Sequence, residues 1–259
     1  MAHVVYENSV LENKMTDLVN SQIDVNALFT LDDELASSAG LKKVINKYTY
    51  TGVVEKLAKG AKNSVKGTVS FTPVEYEVER YQQTFEYNDM DEMKDPYILD
   101  VLTTGAADEM ANDIRKQYFD ELAKISNTHN YETLSYDVIV DALAKIGREV
   151  ETDMFIVMGL DGKAAIRKDA DYKASRMGEI LYTGQFGTIA GVPVLFSALV
   201  PEDAVYITAK DQVKFFVKKA GTVEQTRDIE SKDNTIVYER HGLMALVDER
   251  KSIKLAKTA

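Results

Sequence analysis

Residues 44–87 read VINKYTYTGVVEKLAKGAKNSVKGTVSFTPVEYEVERYQQTFEY. Two runs rich in β-branched and aromatic residues, 44–54 and 68–87, flank a lysine-rich connector. A strand rises about 3.3 Å per residue, so the second run would reach about 70 Å if straight. A globule of this chain length is only about 47 Å across. The sequence therefore predicts a long hairpin that bends, projects, or both. Because an isolated hairpin is marginal in water, a projecting one is expected to lie on another subunit.

The second run changes the phase of its apolar residues. They occupy even positions first and odd positions later: Val74, Tyr76, Val78, Tyr81, Phe85 and Tyr87. A strand with one buried face cannot change phase without a bulge or twist, so we expect a bend at 79–82. Pro73 cannot donate to a strand ladder, which predicts a second break.

Composition restricts the class of protein. The chain has 259 residues, 45% of them hydrophobic, a formal net charge of −11 and no cysteine. It is long enough for one large domain or two modest ones, and disulfides, thiolate nucleophiles and cysteine–zinc sites are excluded. No signal peptide is recognisable and no apolar run approaches the roughly 20 residues that span a bilayer, so we expect a cytoplasmic protein without a membrane partner. The acidity disfavours tight binding to phosphate backbones, so any enclosed nucleic acid would be walled in, not gripped.

The N-terminal 30 residues are polar with scattered apolar anchors. Residues 15–23 have the spacing of a short amphipathic helix. Upstream of them the apolar content is too low for an independent core, which predicts an arm that orders against a neighbouring subunit. Its expected contacts are Val4, Val5, Leu11 and Met15. The alternative is a frayed terminus.

The remaining pattern alternates helices and strands. Thr30 as an N-cap predicts a short helix over 30–38 that ends at Gly40. A long helix is predicted over 97–125, with an apolar residue at every fourth position, so its apolar row winds around the axis and meets different neighbours at its two ends. Beyond a loop at 126–130, an α/β pattern is predicted: a helix from Ser135 to about 150, a buried strand at 154–158, a helix at 162–168, a loop at 170–188, and strands at 188–197 and 204–208. Antiparallel strands are predicted at 213–217, 223–227, 235–247 and 252–256.

No residue pattern supports catalysis. The three histidines lack zinc-site spacing, and Gly184, Gly187 and Gly191 match neither a dinucleotide fingerprint nor a P-loop. An acidic run at 89–95 lacks the central glycine of a calcium loop and is interpreted as a solvated helix start. No nucleophile–base pair can be assembled. We therefore expect no catalytic residue, no cofactor and no metal.

The connector lysines allow several interpretations. Lys56, Lys59, Lys62 and Lys66 could contact nucleic acid, pair with acidic faces of adjacent copies, or keep an exposed tip soluble. The net acidity argues against the first. The other two remain open, because the arm also carries many glutamates that repeat in every copy.

Several segments, in this order and spacing, resemble the major capsid proteins of tailed phages with the Hong Kong 97-type fold: 47–60, 74–87, 99–122, 186–194 and 235–255. The stretch FGTIAGVPV at 186–194 is similar to a recurrent segment of that family. The resemblance implies an α+β fold with an N-terminal arm (1–30), a short helix (31–43), an extended loop hairpin (44–88), a peripheral domain with a spine helix (89–130), an axial domain (131–216) and strands that return to the peripheral domain (217–259).

The resemblance also implies a function. Copies would form hexamers and pentamers of an icosahedral head around double-stranded DNA, assembled in the host cytoplasm with a portal and with decoration or scaffolding proteins. The chain starts almost directly at the arm, so a scaffold would be a separate protein or a segment missing from this sequence. The loop residues expected to contact a neighbour are Val54, Lys56, Leu57, Lys59, Lys62, Lys66, Val69 and Phe71. The alternatives are an encapsulin-like shell with protein cargo, and a soluble α/β enzyme or binding protein.

Overall fold

The computed structural model describes residues 8–24, 28–147, 153–170, 172 and 187–258. The helices are α1 (Asn8–Asp24), α2 (Asp89–Lys94), α3 (Ile98–Leu122), α4 (Tyr136–Ile146) and α5 (Leu160–Lys168). The strands are β1 (Thr30–Asp32), β2 (Lys42–Thr51), β3 (Thr68–Glu77), β4 (Glu79–Asn88), β5 (Thr128–Tyr131), β6 (Met154–Met158), β7 (Thr188–Ile189), β8 (Val192–Phe196), β9 (Ala204–Ala209), β10 (Val213–Arg227), β11 (Asp233–Leu246) and β12 (Ile253–Lys257). Among the residues that the structure describes, no helix is both long and apolar enough to span a membrane.

The predicted hairpin is present. Strands β2 and β3 pair antiparallel from Lys42 opposite Glu77 to Thr51 opposite Thr68, and together they form a separate two-stranded sheet. The chain then changes sheets at Val78, one residue before the predicted bend, and continues as β4. The second break predicted at Pro73 is wrong, because β3 runs unbroken through it opposite Asn46. A two-stranded ribbon leaves each strand one unpaired edge, and proline is tolerated at such edges.

The first large sheet has the strand order β1-β10-β11-β4, and α1 and α3 share its main apolar core. The long helix predicted over 97–125 is α3, and its buried positions wind around the axis as expected. Near its start, Asp100 pairs with Lys14 of α1 at 2.5 Å. Near its end, the Phe119 ring stacks on Tyr206 of β9 with 6.4 Å between centroids. The helix therefore joins this sheet to the second one.

The second sheet has the order β5-β12-β9-β6-β8-β7, with β6 buried along its whole length. Helix α4 begins where the Ser135 hydroxyl accepts from the Val138 N–H, and it ends at Gly147, which has a left-handed φ of 68°. It is thus shorter than the predicted helix to 150. Strand β12 pairs with β5 and β9, so residues 253–257 belong to the second sheet and not to the first. Strand β10, by contrast, belongs to the first sheet from its first residue, Val213.

Two other local predictions are wrong. Residues 30–38 do not form a helix: β1 pairs parallel with β10, and Asp32 accepts from the Lys214 ammonium at 3.0 Å. Pairing with the edge of a long strand satisfies the backbone groups that a short isolated helix would leave exposed. Residues 128–130, predicted to lie in the loop at 126–130, belong to β5 at a sheet edge. Most of the loop predicted at 170–188 lies outside the described residues.

Residues 8–24 are a helix of the subunit itself. Leu11 and Met15 are only 2% and 0% exposed, and they belong to the main core. The prediction that these two residues contact a neighbouring subunit is therefore wrong. Buried residues recur at every fourth position of α1, which gives the helix one apolar face that β10 and α3 cover. Val4 and Val5 lie outside the described residues.

Candidate assembly surface

The base of the hairpin is attached to its own subunit. Ile45 packs in a small core with Phe216 and Leu243. One step outward, Lys47 pairs with Glu249 at 3.3 Å. The Arg250 guanidinium lies 5.3 Å from the centre of the Tyr48 ring. These contacts fix the direction in which the ribbon leaves the subunit.

Beyond Tyr48 the ribbon stands away from the body. Across residues 49–72, the side-chain hydrogen bonds found in the described structure join hairpin residues to one another. Ten residues of strand span about 33 Å, so the tip is far from the core that holds the base. The hairpin is therefore a projecting arm, as its length predicts.

One face of this arm is apolar. Tyr48 lies opposite Phe71, and Tyr50 lies opposite Val69, with all four side chains exposed. Residues two apart on a strand share a face, so these two cross-strand pairs form one continuous patch. We call Tyr48, Tyr50, Val69 and Phe71 the aromatic patch. A contiguous apolar surface of this kind is typical of an interaction site.

The tip between the strands has a defined turn. The Glu55 carboxylate accepts from the N–H and the hydroxyl of Ser64, and these bonds lower the pKa of Glu55. The Ala61 N–H donates to the Ala58 carbonyl at 3.0 Å around Gly60, whose φ is +88°. The tip thus has a local fold of its own. Val54 at its start is 94% exposed.

The eight loop residues named from sequence all lie on this arm and are exposed: Val54, Lys56, Leu57, Lys59, Lys62, Lys66, Val69 and Phe71. Of these eight residues, Val69 and Phe71 belong to the aromatic patch and the other six do not. The sequence pattern does not single out their partners Tyr48 and Tyr50, because the cross-strand register depends on the conformation of the connector. The sequence contains one signal that could have indicated the patch: Tyr48 and Tyr50 alternate with threonine, which places both aromatic rings on one face of the strand.

The described residues offer little for catalysis. They contain no group of three or more histidine, aspartate or glutamate side chains arranged to hold a metal. The acidic run at 89–95 forms α2, where the Asn88 side chain accepts from the Met90 N–H and Asp89 pairs with Arg227. The sequence predicts this run as the solvated start of the long helix, but the structure gives it a short helix of its own before α3. His129 lies in β5 instead of a loop, and His241 lies in β11 as expected.

Comparison with known proteins identifies the fold. A capsid structure of cyanophage P-SCSP1u superposes with a TM-score of 0.70 at 10% identity, over 89% of this chain and 86% of the other. Mycobacterium phage Che8 gives 0.62 at 16% identity, over 87% and 88%. The encapsulin of Synechococcus elongatus gives 0.66 at 13% identity, over 91% and 86%. The mixed helix-and-sheet architecture is thus the Hong Kong 97-like capsid fold.

A sequence profile described as phage capsid protein matches residues 71–255. No curated protein sequence matches the chain. The chain belongs to the phage capsid protein family, which places it in the virion capsid and implies assembly with itself.

Proposed function

We propose that this chain is the major capsid protein of a tailed phage and that its copies form the hexamers and pentamers of an icosahedral head. The observation that carries the proposal is the aromatic patch on the projecting arm, whose four side chains stay about half exposed or more in their own subunit. Laying that patch on an adjacent copy would remove apolar surface from water. It would also support a two-stranded ribbon that is marginal alone.

The contact would be heterologous, because the arm of one copy meets a different surface of the next. Such contacts close into rings when the rotation between copies permits. This agrees with hexameric and pentameric capsomers. The expected arm contacts remain Val54, Lys56, Leu57, Lys59, Lys62, Lys66, Val69 and Phe71, to which the cross-strand register adds Tyr48 and Tyr50.

The capsid would enclose double-stranded DNA without gripping it. The net charge of −11 disfavours neutralisation of many phosphates. A portal and separate scaffolding or decoration proteins complete the proposed set of partners, and assembly takes place in the host cytoplasm. The role is structural and needs no catalytic residue or cofactor.

An encapsulin-like shell is the second candidate, favoured by the superposition on the Synechococcus elongatus encapsulin. The contents of native particles separate the two. Nuclease-protected double-stranded DNA of uniform length supports the phage head. A single protein cargo with no protected DNA supports the encapsulin-like shell and overturns the head assignment.

A first test needs only the purified full-length chain. Size-exclusion chromatography with negative-stain microscopy should show capsomers or closed shells. A stable monomer at all concentrations, with an ordered arm, would contradict self-assembly.

A further inference from the structure

The described chain passes between the two large sheets at three places, which lie side by side. The first passage, 123–127, leads from α3 to β5; the second, 210–212, from β9 to β10; and the third, 247–252, from β11 to β12. We call the third passage the link. Hydrogen bonds join the link to both of the other passages, so the three together form the junction between the sheets.

The link is held to the second passage by Gln212, which is only 1% exposed. The Gln212 carbonyl accepts from the N–H groups of Val247 and Asp248 at 2.8 and 3.3 Å. Its side-chain Oε1 accepts from the Lys251 N–H at 3.2 Å, and the Lys251 ammonium pairs with Asp211 at 3.0 Å. Buried polar groups that are matched in this way rigidify their surroundings. The link is therefore fixed near both of its ends.

Glu249, in the middle of the link, bonds to the first passage and to the arm at the same time. Its Oε2 accepts from the N–H and the hydroxyl of Ser126 at 3.1 and 3.0 Å. Its Oε1 accepts from the ammonium of Lys47 in β2 at 3.3 Å. Burial alone would raise the pKa of Glu249, but the bonds from Ser126 and Lys47 outweigh it and hold that pKa below its usual value. One ionised carboxylate thus joins the arm to the junction.

The next residue of the link contacts the opposite face of the ribbon. The Arg250 guanidinium binds both carboxylate oxygens of Asp248 at 2.7–3.0 Å, and this pair holds it 5.3 Å from the centre of the Tyr48 ring. Adjacent residues of a strand point to opposite faces, so Lys47 and Tyr48 are contacted on the two faces of β2. The link therefore opposes rotation of the ribbon about its own axis.

We propose that Glu249 couples the direction of the arm to the junction between the two sheets. Because one of its oxygens is bound to each of them, a shift of either the arm or the junction changes the contact that the other makes. Coupling of this kind is reciprocal. A change on the junction side must loosen the arm, and a change on the arm side must loosen the junction. The inference goes beyond shell assembly, since it concerns a device within the single subunit.

The first test changes the junction and observes the arm. The chain has no cysteine, so Ser70→Cys in β3 and Glu109→Cys in α3, both at exposed positions, carry the only two spin labels. Pulsed electron paramagnetic resonance on dissociated full-length subunits measures the distances between them. Ser126→Ala, which removes a bond to Glu249 without touching the arm, should widen the distribution, and Ser126→Thr should restore it. In a Lys47→Met background Ser126→Ala should add nothing. An unchanged distribution in Ser126→Ala alone would overturn the inference.

The second test changes the arm and observes the junction. Lys47→Met keeps the apolar stem and removes the ammonium that Glu249 accepts from. Hydrogen exchange of the Ser126 amide, measured by nuclear magnetic resonance, should become at least about fivefold faster, the lower end of typical coupling between sites. The control is Lys43→Met, which removes a different ion pair at the base of the arm, that with Glu34 at 2.6 Å. Equal acceleration in both variants would indicate a general loosening and contradict the coupling.

Both measurements use single subunits, so they are independent of assembly. If the unaltered chain forms no particles, the proposed function fails and the coupling is still decided by these two tests. If particles form but changes at Ser126 and Lys47 act only locally, the coupling fails and the proposed function stands. Both substitutions lie outside the apolar cores, so the subunit should stay folded, and an unchanged circular dichroism spectrum verifies this.

Discussion

Tyr48 of β2 lies directly opposite Phe71 of β3, and the two side chains are 54% and 66% exposed. This pair stands where the ribbon leaves the subunit, just beyond the Arg250 guanidinium that covers part of the Tyr48 ring. A cross-strand aromatic pair stabilises a hairpin modestly by itself. Both rings are more than half exposed in the subunit. We therefore expect their apolar surface to be buried against another copy.

The first prediction concerns the aromatic patch. Tyr50→Ser combined with Phe71→Ser should leave the free energy of unfolding of the dissociated subunit within about 1 kcal/mol of the original, since both side chains are exposed. The concentration needed for assembly should rise at least tenfold, because each apolar side chain buried at an interface contributes on the order of 1.5–3 kcal/mol. Sedimentation velocity measures this. Thr49→Asn, on the opposite face of the ribbon, is the control, and equal loss in both variants would contradict the patch assignment.

The second prediction concerns the tip. Replacing residues 54–65 by Asn-Gly, which favours a tight two-residue hairpin turn between Val53 and Lys66, should preserve the circular dichroism spectrum and melting temperature of the subunit. In the described structure, the side-chain hydrogen bonds of the tip join tip residues to one another. Since these bonds do not tie the tip to the body, we expect it to act between copies, so its removal should abolish closed shells. Electron microscopy of the shortened chain decides this. Shells of normal size and stability would refute the role assigned to the arm.

The third prediction separates a core helix from an exchangeable arm. Met15→Ala should destabilise the subunit by about 2–5 kcal/mol, because Met15 is fully buried in the main core. Val10→Ala, at an exposed position of the same helix, should change stability by less than about 0.5 kcal/mol. Urea unfolding of dissociated subunits measures both. Equal stability of the two variants would show that α1 is not part of the subunit core.

The fourth prediction concerns Arg240, a buried guanidinium that pairs with no carboxylate among the residues that the structure describes. Its Nη1 donates to Asn20 at 3.0 Å, its Nε has no partner among the described residues, and burial lowers its pKa. Asn20→Ala should destabilise the subunit by about 1–3 kcal/mol, because it leaves the charge with one bond fewer. Arg240→Met should be neutral or stabilising, since removal of a poorly paired buried charge offsets the lost contacts. Thermal unfolding tests the pair, and the opposite ranking would contradict it.

The sequence predicts the elements with strong local signals. The hairpin, α3, the Ser135 cap and the buried β6 follow from periodicity and capping residues. Thr30 failed as a helix start because pairing with β10 overrides local capping preference. Leu11 and Met15 were misplaced because a single apolar stripe does not reveal whether the covering surface belongs to the same chain or another.

The candidate site was only partly predictable for a related reason. Exposed lysines and a long hairpin are visible in the sequence, but the aromatic patch depends on the cross-strand register. The attachment of the arm depends on tertiary structure, since it brings Ile45 of β2 beside Phe216 of β10 and Leu243 of β11. No local pattern links residues that far apart.

The most direct measurement is a cryo-electron microscopy reconstruction of the particle formed by the full-length chain. The account predicts that every arm lies across an adjacent subunit of the same capsomer, with Tyr48 and Phe71 covered by that neighbour. A particle in which each arm folds back on its own subunit, or in which Tyr48 and Phe71 face solvent, would contradict it.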